Sequence, residues 1–328
     1  MTTKSLISIA SALLVTTFLS VSVYTGYIPL TLDYQPNFER VENGVVFLVH
    51  KAVDKDGKIA SMMGTGFFVG DNRIVTNFHV TGGGSKLLMH TNQGMSAYEV
   101  EVLAGDEISD IAVLRIIDYA RFIKYEGEPT ILEFAGDDSV YLGEKVWTVG
   151  HPGGLGYSVS EGIISKVKRR INPTPQYFVQ TDAKIYPGNS GGPLLDKNGD
   201  VIGVNTQILI NAGGSVGFAL SGDFVKKIIA DLENFKKVAW SQVGLAMKWN
   251  EEKYGVEIED SMKAKDLHKG DIIRSVKIPG RNEIKVTELD DLLTYLVFAQ
   301  IGETVNLKIE RNGVMMDIDA ITFERIVE

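Results

Sequence analysis

The chain of 328 residues has no cysteine. This excludes thiol nucleophiles, thiolate metal sites and a disulfide framework together. A basic excess is also missing, since 33 Lys and Arg stand against 42 Asp and Glu for a net charge of −9. Nucleic acid is therefore not the expected partner, because such binding rests on clustered cations that neutralise phosphates. Proline is sparse at nine, whereas glycine reaches 34, which points to many tight turns and a β-rich chain. There is no fixed-period repeat and no low-complexity tract. Charged residues make up only 23% against 44% hydrophobic and 9% aromatic, so the chain can bury enough apolar surface to fold. Its length suits two cores.

Charge is absent from the first segment too. After Lys4 no charged residue occurs until Asp33, and Ser5–Val23 alone supplies 19 residues. As a helix rising ~1.5 Å per residue, it would just cross a ~30 Å hydrocarbon core. Residues 1–32 read as an export segment. It is a retained anchor with the N-terminus in the cytoplasm and the remainder outside, or a signal peptide with Ser20 and Ser22 near its cut, the plain alternative being a buried soluble helix.

From Gly44 to Leu220 short runs rich in Val, Ile and Phe alternate with Gly, Asn and Asp clusters: Val45–His50, Gly66–Val69, Arg73–Thr76, Tyr98–Leu103, Ile111–Ile116, Lys145–Val149, Tyr177–Thr181, Val201–Asn205 and Val216–Leu220. This is the spacing of an all-β sandwich or barrel. Ser221–Lys237 then changes to helical period, with Ser221 at the N-cap and Val225, Ile228, Ile229, Leu232 and Phe235 on one face. Beyond it, strands such as Asp271–Val276 and Val305–Arg311 mix with a helix over Thr287–Ala299, and Asn312-Gly313 marks a hairpin turn. The expected organisation is a domain over 33–240 followed by a smaller α+β domain over 241–328.

Hydrolysis by a hydroxyl needs a base, a carboxylate that orients the base, and donors for the developing oxyanion. Ser190 lies in Gly188-Asn189-Ser190-Gly191-Gly192-Pro193, where glycines allow backbone N–H groups to turn inward. His79 ends the run Ile74-Val75-Thr76-Asn77-Phe78, and Asp110 opens Ile111-Ala112-Val113-Leu114. Each alone has a plain reading as a turn serine, a structural histidine or a capping aspartate. Together, the chain order His79, Asp110, Ser190 over an all-β domain is that of double-barrel proteases of the chymotrypsin type. His50, His90, His151 and His268 have no comparable context and read as structural.

With these stretches, Gly64-Thr65-Gly66-Phe67-Phe68, Gly150-His151-Pro152 and Gln180-Thr181-Asp182-Ala183 complete a pattern that resembles the HtrA/Deg serine proteases from about Val41 onward. The resemblance implies a mainly β fold, with a chymotrypsin-like double barrel followed by one PDZ domain. It implies His79 as general base, Asp110 as its orienter and Ser190 as nucleophile. Gly188, Asn189 and Ser190 would form the oxyanion hole, with the N–H groups of Gly188 and Ser190 donating. It further implies a homotrimer, polypeptide substrates outside the cytoplasm, C-terminal peptides as PDZ ligands, and neither metal nor cofactor. The remaining length fits the single-PDZ, membrane-anchored branch, and the short Val53–Met63 loop argues against carrying over a large cage.

Finer expectations follow from this likeness. The PDZ groove is placed at the loop Lys253-Tyr254-Gly255-Val256, strand Val256-Glu257-Ile258, and helix residues Leu289, Leu292 and Leu293. Lys184 is a candidate for the base of the S1 pocket, where a desolvated ammonium would favour an acidic or polar P1 side chain; the alternative is that Lys184 points outward and Ile185 lines an apolar pocket. Arg169 and Arg170 fall in a Pro-containing loop that, in the family, relays the PDZ state to the oxyanion segment. The rival from another class is an inactive chaperone or peptide-binding scaffold on the same fold.

Overall fold

The computed structural model describes residues 35–324 apart from 54–58, 85, 93–95, 137–139, 170–175, 212–213, 239, 262–263 and 265. The export segment Ser5–Val23 lies outside these residues. Among the described residues no helix is long and apolar enough to cross a membrane.

A short helix, Phe38–Gly44, is capped by the Asn37 side chain, which accepts from Arg40 N at 3.1 Å. It leads into β1 (Val45–Val53), β2 (Ile59–Gly70), β3 (Arg73–Thr76), β4 (Lys86–His90), β5 (Ala97–Asp106) and β6 (Ile111–Ile116). These close into a barrel in the order β1-β2-β3-β6-β5-β4. A helix over Tyr119–Glu126 then packs Phe122 against Phe68 and Tyr98, with ring centroids 5.7 and 5.3 Å away. The second barrel comprises β7 (Lys145–Gly150), β8 (Ser158–Arg169), β9 (Phe178–Thr181), β10 (Pro193–Leu195), β11 (Val201–Asn211) and β12 (Gly214–Ser221), ordered β10-β11-β12-β9-β8-β7. Closure leaves neither sheet with a free edge. One apolar cluster joins the barrels, with Phe67, Val75 and Ile111 from the first and Phe178, Val204 and Phe218 from the second.

The expected runs fall within β1, β2, β3, β5, β6, β7, β9, β11 and β12, Tyr177 lying just ahead of β9. Three strands were not anticipated. β4 and β10, at five and three residues, are too short to show a period, and β8 begins with Ser158, Ser160, Glu161 and Gly162, which look like loop residues. The closing helix runs over Gly222–Phe235 with Ser221 at its N-cap, although the serine side chain makes no capping bond. Val225, Ile228 and Leu232 are buried as expected, but Phe235 is 64% exposed, because the chain leaves the core there through Lys236 in left-handed conformation (φ 60°).

Behind this helix Trp240 stacks on Phe224 at 6.1 Å. The chain continues through β13 (Ser241–Gln242), β14 (Leu245–Asn250), β15 (Gly255–Ser261), β16 (Ile272–Lys277) and β17 (Ile284–Lys285), then a helix over Leu289–Leu296. It ends with β18 (Thr304–Arg311), β19 (Val314–Ile321) and β20 (Phe323–Glu324), which pairs back to β13. The sheet order is β14-β15-β16-β18-β19, with β17 alongside β16. The helix is shorter than the expected Thr287–Ala299, since Glu288 and Asp291 form a capping box that fixes its start. As the sequence suggests, the β18–β19 hairpin turns at Asn312 and Gly313, with φ of 51° and 81°.

In this second domain the buried carboxylate of Asp271 pairs with Arg311, whose side chain is partly exposed. Arg311 donates through Nε and Nη2 to the two oxygens of Asp271, each at 2.7 Å, and His268 N donates to the same carboxylate at 2.7 Å. Burial pushes the Asp271 carboxyl up, but these donors and the guanidinium charge outweigh it and hold the group below its usual value. A depressed carboxyl stabilises the fold above its unfolded pKa of about 3.9, and this stabilisation is lost as pH falls through the folded value. Arg311→Ala, which strands the Asp271 carboxylate, is expected to lower the stability near pH 7, read by denaturant titration. The penalty should shrink below about pH 4, where Asp271 can be protonated.

Candidate active site

Strand pairing brings the three candidate residues to one end of the barrels. β3 and β6 are paired at Thr76↔Ala112, so His79, following β3, meets Asp110, preceding β6. The Asp110 carbonyl accepts from Phe78 N at 3.1 Å and from Asn77 Nδ2 at 2.9 Å, which ties the two segments together. Asp110 has a left-handed backbone (φ 56°), a conformation tolerated by Asp better than by most residues. His79 Nδ1 lies 2.9 Å from both Asp110 oxygens, and the His79 backbone N–H donates to Oδ1 at 3.0 Å. A carboxylate so placed fixes the imidazole tautomer with hydrogen on Nδ1, leaving Nε2 as an acceptor.

Sequence reasoning missed a third donor to that carboxylate. Thr206 Oγ1 donates to Asp110 Oδ2 at 2.8 Å. Thr206 is the extra residue of a bulge in β11, between Asn205 opposite Ala219 and Gln207 opposite Phe218. Bulges re-aim side chains, and here the result is a bond spanning 96 positions of sequence. The carbonyl of the same threonine receives the Ser190 hydroxyl at 3.3 Å. No sequence signal near Thr206 announces either contact.

Ser190 sits just before β10, whose register against β11 is extended by Gly191 N donating to Asn205 O at 2.8 Å. Two peptide units determine what faces the serine. Pro187 O accepts from Gly153 N at 2.7 Å, and Asn189 O accepts from Gly192 N at 2.9 Å. In a trans peptide the carbonyl and the following N–H point opposite ways, so the N–H groups of Gly188 and Ser190 are turned away from these anchors. Gly188 has φ of 102°, and a Cβ there would lie 2.2 Å from His151 O. At Gly191, φ is 84° and a Cβ would meet Thr65 O and Thr76 Oγ1, each at 2.2 Å. Only glycine fits these two positions.

Lys184 and Ile185 separate clearly. Ile185 is buried, its side chain against Gly217 of β12, while the Lys184 side chain is exposed and its carbonyl accepts from Thr148 Oγ1 at 2.9 Å. The desolvated ammonium that would favour an acidic P1 residue is therefore not present. Arg170 and the following loop lie outside the described residues, and Arg169 is described only as the last residue of β8, paired with Phe178.

The expected peptide groove needs correction. β15, which holds Val256 and Ile258, is flanked by β14 and β16, so it has no free edge on which a peptide could add. Val256, Ile258 and Leu292 are fully buried core residues. Tyr254, at φ 48° and 78% exposed, belongs to the tight β14–β15 turn with Gly255, and Arg274 Nη1 donates to the carbonyls of Lys253 and Tyr254 at 2.7 Å each. β14 and β19 are the edge strands of this sheet, and β14 is preceded by buried Val243 and by Gly244 at φ 62°. The signal for it was Val243-Gly244-Leu245, a glycine between apolar residues directly ahead of a strand.

Comparison with known proteins matches this architecture. The trypsin-like peptidase domain family matches residues 64–204, and the PDZ domain family matches residues 242–322. A probable periplasmic serine endoprotease DegP-like of Chlamydia trachomatis is 31% identical over 284 residues, covering 82% of this chain and 55% of that protein. The chloroplastic Protease Do-like 1 of Arabidopsis thaliana is 32% identical over 310 residues, covering 84% of this chain and 68% of the other. The chain thus spans about half the length of the Chlamydia relative and about two thirds of the Arabidopsis one. Among solved structures, the HtrA-type protease AlgW with a tripeptide superposes with a TM-score of 0.69 at 23% identity, over 88% of this chain and 96% of that one. The serine endoprotease from Yersinia pestis gives 0.61 at 24% identity, over 91% and 100%. At such identities these two establish the fold, while the sequence relatives establish kinship: the chain belongs to the HtrA/Deg family of serine proteases.

Proposed function

We propose that this protein is a serine endopeptidase that cleaves unfolded, misfolded or regulatory polypeptides outside the cytoplasm. The observation that carries the reading is the Asp110 carboxylate on His79 Nδ1 at 2.9 Å, one threonine away from the Ser190 hydroxyl. The Ser190 hydroxyl leaves Thr206 O and gives its proton to His79 Nε2 as Oγ attacks the substrate carbonyl carbon. The N–H groups of Gly188 and Ser190 receive the oxyanion, and His79 returns the proton to the departing amine. Water then repeats the cycle on the acyl-enzyme. Buried Ile185 beside Gly217 supports a small or branched apolar P1 residue. An extracytoplasmic setting is supported by the uncharged Ser5–Val23 run and by relatives named periplasmic; anchoring through that run and assembly as a homotrimer follow from the family resemblance.

Peptide control through the PDZ domain is part of this reading. The segments on either side of residues 170–175 lie at PDZ contacts. Lys166 of β8 pairs with Glu288 at 3.2 Å, and Tyr177, directly before β9, meets the Phe298 ring edge-on at 5.7 Å. A ligand shifts such a coupling only by its differential affinity for two states, so tenfold activation requires about 1.4 kcal/mol. The test is casein hydrolysis and fluorophosphonate labelling of Ser190, with and without peptides bearing hydrophobic C-termini. Hydrolysis without stimulation would leave the protease and remove the control; absence of both labelling and hydrolysis would remove the protease.

The site of peptide addition is separately testable. A strand added to β14 requires the backbone at Gly244 to stay left-handed, and a β-branched side chain is strained there. Gly244→Val is expected to weaken peptide binding about tenfold or more, read by fluorescence anisotropy, with basal hydrolysis unaltered. An unchanged affinity would move the groove away from β14.

A further inference from the structure

His151, which reads from sequence as structural, is only 3% exposed and lies beside the serine loop. Its ring packs against Phe47 and Tyr157, with centroids 5.2 and 6.5 Å away. Nδ1 is 3.1 Å from Thr65 Oγ1, and Nε2 is 2.6 Å from Asn92 Oδ1. Thr65 in turn donates its hydroxyl to Gly188 O at 2.7 Å, while its N–H donates to Ser190 O at 2.8 Å and its carbonyl accepts from Thr76 Oγ1 at 2.7 Å. One residue of the first barrel therefore grips the serine loop of the second on both sides of Asn189.

Groups that can only accept fix the hydrogens of this cluster. A carbonyl only accepts, so the single Thr65 hydroxyl hydrogen is committed to Gly188 O. Oγ1 then accepts from the His151 backbone N–H at 3.1 Å, which leaves one lone pair for ring Nδ1. Asn92 has its amide nitrogen on two carbonyls, Glu42 O and Val45 O, both at 2.8 Å, so its oxygen faces Nε2. Burial without a charged partner drives the imidazole down to about 4, so at neutral pH the ring carries one hydrogen for two acceptors. The Asn92 oxygen only accepts, so its 2.6 Å contact puts that hydrogen on Nε2 and leaves Nδ1 as a bare lone pair beside Thr65 Oγ1. Gly188 O, at 2.7 Å, is nearer to Thr65 Oγ1 than Nδ1 at 3.1 Å, so the Thr65 proton stays on the serine loop and the Nδ1 lone pair is left as a competitor for it.

We propose that Thr65 is a positioning residue for the oxyanion segment, its hydroxyl holding the Gly188 carbonyl back against the competing Nδ1 of His151 and thereby keeping the flanking N–H groups aimed at the reacting oxygen. The chain segment with the imidazole also contributes Gly153 N, which holds Pro187 O. Both peptide units bordering Gly188 are thus fixed from Thr65 and the 151–153 turn. Neither His151 nor Thr65 touches substrate. The effect of Thr65 is felt where the donors must meet developing charge, so it belongs to the transition state more than to the bound substrate.

The inference rests on the protease reading, and one set of measurements separates the two. Full-length wild type, Thr65→Val, Thr65→Ser and His151→Phe are assayed on a chromogenic peptide, and each is titrated with a peptidyl boronate, whose tetrahedral adduct places an oxygen at the oxyanion position. Thr65→Val is expected to lower kcat about 10- to 100-fold with KM within about twofold, and to weaken the boronate by the same factor. Thr65→Ser, which keeps the hydroxyl, should remain within about threefold of wild type, and His151→Phe, which removes the competing lone pair and keeps an aromatic ring, should not lower kcat more than about twofold. Wild-type kcat in Thr65→Val, or a loss in His151→Phe as large as in Thr65→Val, overturns the relay while leaving the protease intact. Equal impairment of Thr65→Ser and Thr65→Val also overturns it, since methyl packing would then be the cause. Wild type without turnover or boronate affinity ends the protease reading, and the relay with it.

Discussion

Ser190→Ala is expected to lower kcat for peptide hydrolysis by about a million-fold, the scale reached when the nucleophile of a serine triad is removed. The fold should scarcely change. Ser190 is held mainly by its backbone, through its carbonyl on Thr65 N and the carbonyl of Asn189 on Gly192 N, and its hydroxyl makes a single 3.3 Å bond to Thr206 O. The melting temperature should therefore stay within a few degrees of wild type, and peptide binding at β14 should persist. His79→Ala should be nearly as damaging, and the double variant hardly worse than either, because the groups act as a unit. Turnover within tenfold of wild type in Ser190→Ala, with the purified variant free of contaminating protease, would remove Ser190 from the chemistry.

Asp110→Asn should reduce kcat about 10⁴-fold near neutral pH. Three donors converge on this carboxylate: His79 N, His79 Nδ1 and Thr206 Oγ1. A carboxylate accepts all of them, but an amide offers one oxygen and sets an NH2 against whichever donor remains. If the amide nitrogen faces His79, the imidazole hydrogen moves to Nε2 and the ring can no longer receive the serine proton. If it faces Thr206, the hydroxyl must turn its hydrogen elsewhere. The pH–rate profile of kcat, compared with wild type and with Thr206→Val, distinguishes these routes. A wild-type profile in Asp110→Asn would show that His79 does not depend on this carboxylate.

Much of the site was legible because its parts lie beside strong local signals. His79 and Asp110 border β-runs whose residues are fully buried, such as Val75 and Ile111, and Ser190 is surrounded by glycines that the backbone requires. Thr206 was not legible, because its role depends on a bulge, and bulges leave no period in the sequence. His151 was read as structural for a related reason: its partners Thr65 and Asn92 are 86 and 59 positions away. The expected PDZ groove fell on an interior strand. Gly255-Val256-Glu257-Ile258 has an apolar alternation that marks a strand equally well whether it lies at the edge or in the interior, and only the pairing order tells these apart. The Lys184 expectation failed on side-chain direction, since adjacent residues leave the backbone on opposite sides and Ile185 took the inner one.

The left-handed backbone at Asp110 narrows which mutational routes are open to this enzyme. Positive φ admits glycine, asparagine and aspartate readily and most other side chains at a cost of about 1–2 kcal/mol. Of those three, only aspartate is an acid. Glutamate would keep the charge but pay for the backbone and overshoot His79 by a methylene, while asparagine suits the backbone and reverses the hydrogen bonding. Single-residue drift from Asp110 therefore leads to inactivity or to instability, never through a neutral intermediate, and chain geometry guards this position before selection on catalysis acts.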